Sequence, residues 1–460
     1  MPKQFKNGLF IFRRDLRIND NNGLNLLNDN CENIYTIFIF TPEQVGESNK
    51  FKSNNAVQFM IESLQDLSSK IHAKGGKLLT FYGHNDTIIE QCIKMLDIDI
   101  VCFNIDYSPY AKQRDAKIIA QCEKHKTYVM YDFDYYLLEP DVVKTGSGTP
   151  YKMFTPYYEN ALKHKVQPPS GTKQIHFMNS NAHFSNKITL DIALTKFTKQ
   201  NNNILVHGGR DEAIHALKQA IKTQKRYSKT RDEMRLSTSL LSAYIKFGNI
   251  SIREVYAAFK GNKEFIRQLF WRDFYAQVLY YYPDVLGNAM KPSFNKIKWH
   301  HNTKWFLDWK AGNTGFPIVD ASMRQLNTIG WTHNRGRMIC STFLVKTLLI
   351  SWEEGERYYA TKLTDYDPAS NNLSWQSSAS VGTDSQPYFR TINPWIQSKE
   401  HDAECEYIKK WIPELQNVEP YVIHNWFKEY ENHKDVNYPP PICDYNKQKD
   451  LSLKMYKNVI

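Results

Sequence analysis

Five short apolar runs, separated by amphipathic segments, decide what the first 131 residues of this 460-residue chain can fold into. They are GLFIF from Gly8, IYTIFIF from Ile34, KLLTFY from Lys77, DIVCFN from Asp99 and TYVMY from Thr127. Between them Val57, Met60, Ile61, Leu64, Leu67 and Ile71 recur at helical spacing, and Gly75-Gly76 closes that helix. Ser108-Pro109 supplies an N-cap and a first helical position for a second helix that ends near Lys124. Strand and helix in alternation mean βαβ units around a parallel sheet. The first strand-to-helix turn, FRRDLRINDNNG, lacks G-x-G-x-x-G, so the phosphates of any nucleotide cofactor are expected elsewhere.

The pattern changes twice further on. TGSGTP from Thr145 and PPSG from Pro168 are turn chemistry, which makes 132–200 a connector with one short helical piece around Thr155 to Lys163. From about 201 the strands vanish and helical spacing takes over, as in Ala213, Leu217 and Ile221, or Leu240, Leu241, Tyr244 and Ile245, with no internal repeat. The expected organisation is an α/β domain with a Rossmann-like parallel sheet over 1–131, the connector, and an all-α domain over 201–460. A chain this long exceeds one ordinary core.

Lys and Arg number 59 against 48 Asp and Glu, and the formal charge of +11 suits a polyanion such as nucleic acid. A basic surface kept for solubility is the plainer alternative. The seven cysteines are scattered, odd in number and without a CxxC pair. They argue for a reducing compartment and against a disulfide framework or a local zinc or iron-sulfur set. MPKQFKNG leads straight into a strand, and no apolar run is long enough for a bilayer. A soluble, intracellular protein is expected.

The stretch from Gly315 to Trp375 crowds Trp, His, Arg, Asn, Asp and Met into helical sequence, costly to bury unless a large ligand satisfies the polar groups. Upstream, Thr238, Ser239, Leu240, Leu241 and Ser242 put hydroxyls ahead of an amphipathic helix, which serves either as an anion site for a pyrophosphate or as a simple N-cap. Tyr227 and Arg231 lie one segment before them. Arg337 with Asp365 or Asp367 forms either a frame for a planar heterocycle or an interhelical ion pair. Trp299, Trp352 and Trp375 are either core aromatics or a file for passing electrons.

FRRDLR from Phe12, FTP from Phe154, WRDFY from Trp271, TGFPIVDASMRQL, GWTHNRGRM, NNLSWQ and PYFRTINP occur in this order, and the chain resembles the DNA photolyase/cryptochrome family over nearly its whole length. The resemblance is strongest to class I cyclobutane pyrimidine dimer photolyases. It implies an α/β antenna domain, a helical domain holding FAD, and electron transfer from photoexcited, fully reduced FAD to a dimer flipped out of UV-damaged DNA. It assigns Tyr227 and Thr238 to Ser242 to the FAD phosphates, Arg337, Asp365, Tyr366 and Asp367 to the flavin's surroundings, and Asn371 to flavin N5. Trp375, Trp352 and Trp299 become an electron relay. Gln268, Trp271, Asn334, Arg335 and Met338 become the lesion site, and Arg231, Arg335, Arg390 and Lys399 the DNA phosphate contacts.

Two residues depart from that pattern. Gln268 stands where these photolyases usually carry Glu, and Ser377 replaces a second pocket Trp, a loss of roughly 1 to 3 kcal/mol of base stacking. Gln268 keeps a (6-4) photolyase in view, and a cryptochrome-type photoreceptor is the other alternative. The residues after PYFRTINP leave little room for the long disordered tail usual in such receptors. Folate-using members carry Asn-Glu after the fourth strand. Tyr110-Ala111 stands there, so a folate antenna is disfavoured and its identity stays open. The resemblance further implies a monomer without an obligate protein partner, cytoplasmic or nuclear, with no membrane attachment.

Overall fold

The computed structural model describes residues 3–171, 173–385 and 387–459. The apolar runs form β1 (Phe5–Phe12), β2 (Cys31–Phe40), β3 (Leu78–Tyr82), β4 (Ile100–Asn104) and β5 (Tyr128–Asp132), each within a few residues of its expected start. They pair in parallel in the order β3-β2-β1-β4-β5, with Phe10 opposite Thr36 on one side and Cys102 on the other. The order reverses at β1, which opens a crevice at the carboxyl ends of β1 and β4. Ser108 caps the Pro109–Lys124 helix, accepting from Ala111 N at 3.2 Å.

One sheet face, with Leu9, Ile11, Ile37 and Phe81, is covered by Ile88, Ile89 and Ile118 of the crossover helices. The other, with Phe10, Phe12, Phe38 and Phe40, shares a core with Leu241, Tyr244, Phe270 and Phe274 from beyond residue 201. The connector belongs to the same core through Phe154, Ile175, Phe177 and Phe197. Its expected helical piece is Phe154–Ala161, and a second helix, Leu190–Phe197, was not anticipated because its surroundings are turn-rich. Bridges from Ile34 to Phe177 and from Phe81 to Lys187 lay the connector against the sheet.

Buried charges fasten the two halves. Arg17 reaches Asp134 at 2.6 Å, and Arg253 reaches Asp134 at 2.8 Å and Asp20 at 3.1 Å, all with side chains at most 5% exposed. Removing one member would strand a buried charge at roughly 3–5 kcal/mol. Gly248, at φ 69°, lets the helical half press on the turn after β1, where a Cβ would meet Arg14 O at 2.4 Å. The remaining helices pack around a second core that includes Trp309, Trp352, Trp375 and Tyr456. No described helix is long and apolar enough to cross a membrane.

Candidate cofactor and nucleic-acid site

The Pro368–Ser378 helix joins the two cores, with Ala369 and Leu373 in the first and Trp375 in the second; Leu241 of the hydroxyl run lies in the first core, and Ile339 and Cys340 of the Asn334–Thr342 helix lie in the second. Arg335 Nη2 holds Asp232 at 2.7 Å, which ties the approach to the hydroxyl run to the Asn334–Thr342 helix. Ser341 and Ser378 share a hydroxyl bond of 2.7 Å, and Arg337 clasps both oxygens of Asp365 at 3.1 and 2.9 Å. The Asn334–Thr342 and Pro368–Ser378 helices are thereby joined.

The hydroxyl run is not a side-chain cap. Leu241 occupies the N-cap of the short Ser242–Phe247 helix, and no side chain satisfies that end. Leu240 sits at φ 54°, left-handed backbone that a non-glycine residue adopts at a cost of about 1–3 kcal/mol and that clusters at ligand sites. Among the described residues, the hydroxyls of Thr238, Ser239 and Ser242 make no protein hydrogen bond. Tyr227 borders the run half-buried, its ring 5.2 Å from Phe265.

Arg337 pairs with Asp365, so the two aspartates of DYD have different tasks. Asp367 is the N-cap of the Pro368–Ser378 helix, accepting from Ser370 N at 3.0 Å, and binds Arg14 of the first domain at 3.3 Å. Burial pushes its carboxyl up, but Arg14, Lys246 and Arg272 together outweigh burial and hold it well below the usual carboxylate range. Tyr366 between them stacks on Phe51 at 6.3 Å. Asn371, 8% exposed, spends its Nδ2 on Glu356 O at 3.1 Å and has its Oδ1 to offer. Asn372 bonds the Glu356 carboxyl at 3.0 Å; burial nevertheless pushes that acid up to about 7.

His333 was missed at the sequence level. Its Nδ1 accepts from Arg335 N at 3.0 Å, so Nε2 carries the hydrogen, yet Nε2 is buried and has no partner. Burial lowers its pKa to about 4 against the pull of Asp232, and the ring is neutral. Arg335 Nε is likewise buried and unmatched. Stranded donors, unbonded hydroxyls and a clasped guanidinium on these segments fit a large ligand with phosphates and a polar heterocycle.

Outward from this junction, the Lys263–Tyr281 helix shows a half-buried face bearing Glu264, Arg267, Gln268, Trp271 and Tyr275. Trp271 stacks on Phe154 at 3.7 Å and 9°, and Arg267 lies 5.4 Å over the same Phe154 ring. Phe154, read only as part of a motif, is thus the support of the aromatic wall. Among the described residues Gln268 is bound only to Glu264 O, at 3.4 Å. Asn334 is exposed and Met338 is 38% exposed, with Nδ2 3.8 Å from Sδ. On the Pro368–Ser378 helix Ser374 is exposed and Ser377 half-buried.

The basic residues divide into two kinds. Arg390 and Lys399 are exposed. Arg231 already lies 3.6 Å from Glu264 and 3.7 Å from Asp232, and Arg335 is held by Asp232.

Trp352 and Trp375 are both 2% exposed, and Trp299 packs against their core. The rings touching Trp375 are Tyr359 at 5.1 Å and Trp309 at 6.1 Å, and Trp299 touches Tyr456 at 6.2 Å. Among the described residues no ring contact joins Trp375 to Trp352 or Trp352 to Trp299. Gly355, one turn beyond Trp352, accepts the Trp375 ring so closely that a Cβ would lie 2.2 Å from Cη2.

A cavity of about 160 Å³ opens at the sheet's crevice and is lined by Arg13, Arg14, Asp106, Tyr110, Arg114 and Lys246, among others. Arg13 Nε and Nη2, Arg14 Nε and Arg114 Nη2 are buried without partners. Burial and Arg14 lower Lys246 to about 8 against Asp367 and Asp106. The turn after β1 therefore carries a cationic seat that a glycine template does not look for.

The family described as "FAD binding domain of DNA photolyase" matches residues 265–458, and that described as "DNA photolyase" matches 9–173. A deoxyribodipyrimidine photo-lyase of Buchnera aphidicola (subspecies Baizongia pistaciae) is 36% identical, with 98% of each chain covered. One of Alkalihalophilus pseudofirmus is 35% identical, with 97% of each covered. Among solved structures, an archaeal photolyase from Sulfolobus tokodaii with two FAD molecules matches at a TM-score of 0.90 and 37% identity, covering 98% of this chain and 100% of its own.

Proposed function

This chain belongs to the DNA photolyase family, and from that premise we propose that it repairs cyclobutane pyrimidine dimers in DNA under light, as a deoxyribodipyrimidine photo-lyase. The observation that carries the reading is end-to-end likeness to proteins of that name, spanning both the junction and the aromatic wall. Held there in its reduced form, FAD would supply the light-driven electron that opens the two bonds between the pyrimidines and would take it back afterwards.

The chain's own residues bind, orient and insulate. Thr238, Ser239 and Ser242 with the backbone at Leu240 and Leu241 would hold the phosphates beside Tyr227, and the clasped Arg337 and Asn371 would hold the heterocycle. The dimer leaves the duplex more cheaply than an intact pair and stacks against Trp271, stiffened by Phe154 and Arg267 behind it. Gln268 bonds the pyrimidine edge as a neutral donor and acceptor, and Met338 with Asn334 closes the far side. Ser377 leaves that pocket with one aromatic wall. Arg390 and Lys399 meet phosphates directly, and Arg231 and Arg335 do so while sharing Glu264 and Asp232. Trp375, Trp352 and Trp299 would pass electrons from an external reductant at the surface, such as a thiol, towards the flavin site.

The cationic cavity at the sheet crevice is read as the seat of a second chromophore of flavin type, with Tyr110 and Ala111 in its lining. A monomer without an obligate protein partner, in cytoplasm or nucleus, completes the reading. Irradiated and intact oligonucleotides at matched salt test it: the irradiated one is expected to bind at least about tenfold more tightly. Equal binding would count against a lesion site.

A further inference from the structure

The Asn334–Thr342 helix does not stop as an α-helix. It runs on into a π turn, Phe343–Thr347, in which Leu348 N bonds Phe343 O at 2.9 Å. A π turn inserts one residue, weakens the local ladder, and persists mainly where a side chain must be aimed. All five residues of the turn are buried, and one of them is Lys346, 2% exposed. Its Nζ donates to Ser380 Oγ at 2.7 Å and to Arg390 O at 2.8 Å. Burial draws the amine down to about 8, and among the described residues no carboxylate pairs with it. A buried ammonium without a counterion is costly, and an apolar side chain would fill the space more cheaply. Its value lies in what it holds.

It holds both ends of the loop that leads from the Pro368–Ser378 helix to the Pro394–His401 helix. Ser380 stands at the exit of the first, at φ 61°, and Arg390 lies near the entry of the second. Other anchors tie the loop to its neighbours: Lys291 N donates to Val381 O at 3.1 Å, Phe154 N to Asp384 at 3.2 Å and Thr383 Oγ1 to Lys152 O, Thr391 bonds Tyr445 at 3.0 Å, and Tyr388 stacks on Tyr456 at 6.0 Å. Phe389, 58% exposed, and the exposed Arg390 side chain point outward. The segment that aims Lys346 also carries Asn334, Arg335 and Met338.

We propose that Lys346 is a positioning residue for DNA engagement: it clamps the Ser380–Arg390 loop so that Phe389 and Arg390 meet the duplex at a fixed distance from the lesion pocket on the same helical segment. The proposal rests on the reading of that pocket as a lesion site. In Lys346→Met the Kd for a dimer-containing oligonucleotide should rise about tenfold through lost pre-organisation. Amide exchange at Phe389 and Arg390 should quicken, while bound flavin absorbance and the single-turnover splitting rate stay as in wild type. Ser380→Ala, a milder change in the same clamp, should move Kd and exchange the same way by less, and it decides the matter if Lys346→Met does not fold. Unchanged exchange and Kd in Ser380→Ala, or loss of flavin and splitting rate in step with affinity, would overturn the clamp. A wild-type protein with no preference for dimer DNA would instead sink the lesion reading, and the exchange measurement would still judge the clamp.

Discussion

Replacing Gly355 by Ala is the sharpest probe of how Trp375 is held. The added Cβ would lie 2.2 Å from Trp375 Cη2, 2.3 Å from Cζ3 and 2.6 Å from Leu344 Cδ2. Carbon contacts settle near 3.5–4.0 Å, so something must retreat by more than about 1 Å. Trp375 has little room to do so, buried at 2% exposure and braced edge-on by Tyr359 and Trp309. Overpacking of this kind costs roughly 1–3 kcal/mol, while Ala in a helix interior returns about 1 kcal/mol relative to Gly. The expected net is a loss of about 1 kcal/mol, a fall of roughly 1 °C in the thermal midpoint for a chain this size. Photoreduction of the bound flavin under fixed light with a thiol donor should slow, because the displaced indole is the first member of the proposed relay. Trp375→Phe removes the clashing atoms, so Gly355→Ala should cost less in that background, with a coupling of about 1 kcal/mol. A raised midpoint together with unaltered photoreduction would refute the placement of the ring.

Burial raises Glu356 to about 7, so the folded protein retains a proton there that the unfolded chain releases near the ordinary carboxylate value. Its stability contribution is complete at acid pH and is lost as pH climbs towards and through 7. Glu356→Gln should therefore flatten the decline in unfolding free energy between about pH 5 and 8 by roughly 3 kcal/mol, read by denaturant titration at each pH; parallel curves for both proteins would contradict it. Asp365→Asn leaves Arg337 without its two-oxygen clasp, and FAD affinity should fall about tenfold or more. Equilibrium dialysis showing wild-type retention would remove Arg337 from the cofactor frame.

The sheet was legible because strand signals are local. Apolar runs such as IYTIFIF mark β2, and Ser108-Pro109 marks a helix start irrespective of the rest of the chain. The connector's second helix was hidden because Leu190–Phe197 is short and flanked by turn residues. Partner choice was less legible still. Arg337 was read with two candidate aspartates, and the fold gives it Asp365 while sending Asp367 to Arg14, on a different domain. Lys346 gave no signal, since a lysine in an apolar helix reads as solvent-facing, and only the π turn carries it inward. The Trp residues show the same limit. Sequence places them in one domain, but what touches Trp375 depends on a glycine one helix away.

Illumination of the reduced protein with two oligonucleotides, one bearing a cyclobutane dimer and one a (6-4) photoproduct, tests the central claim most directly. Chromatography after a light exposure, with a dark control, should show the cyclobutane dimer converted to intact pyrimidines only in the light and the (6-4) lesion unchanged. Loss of the (6-4) lesion instead would make Gln268 the deciding residue, and repair of neither would contradict the assignment of this pocket to dimer repair.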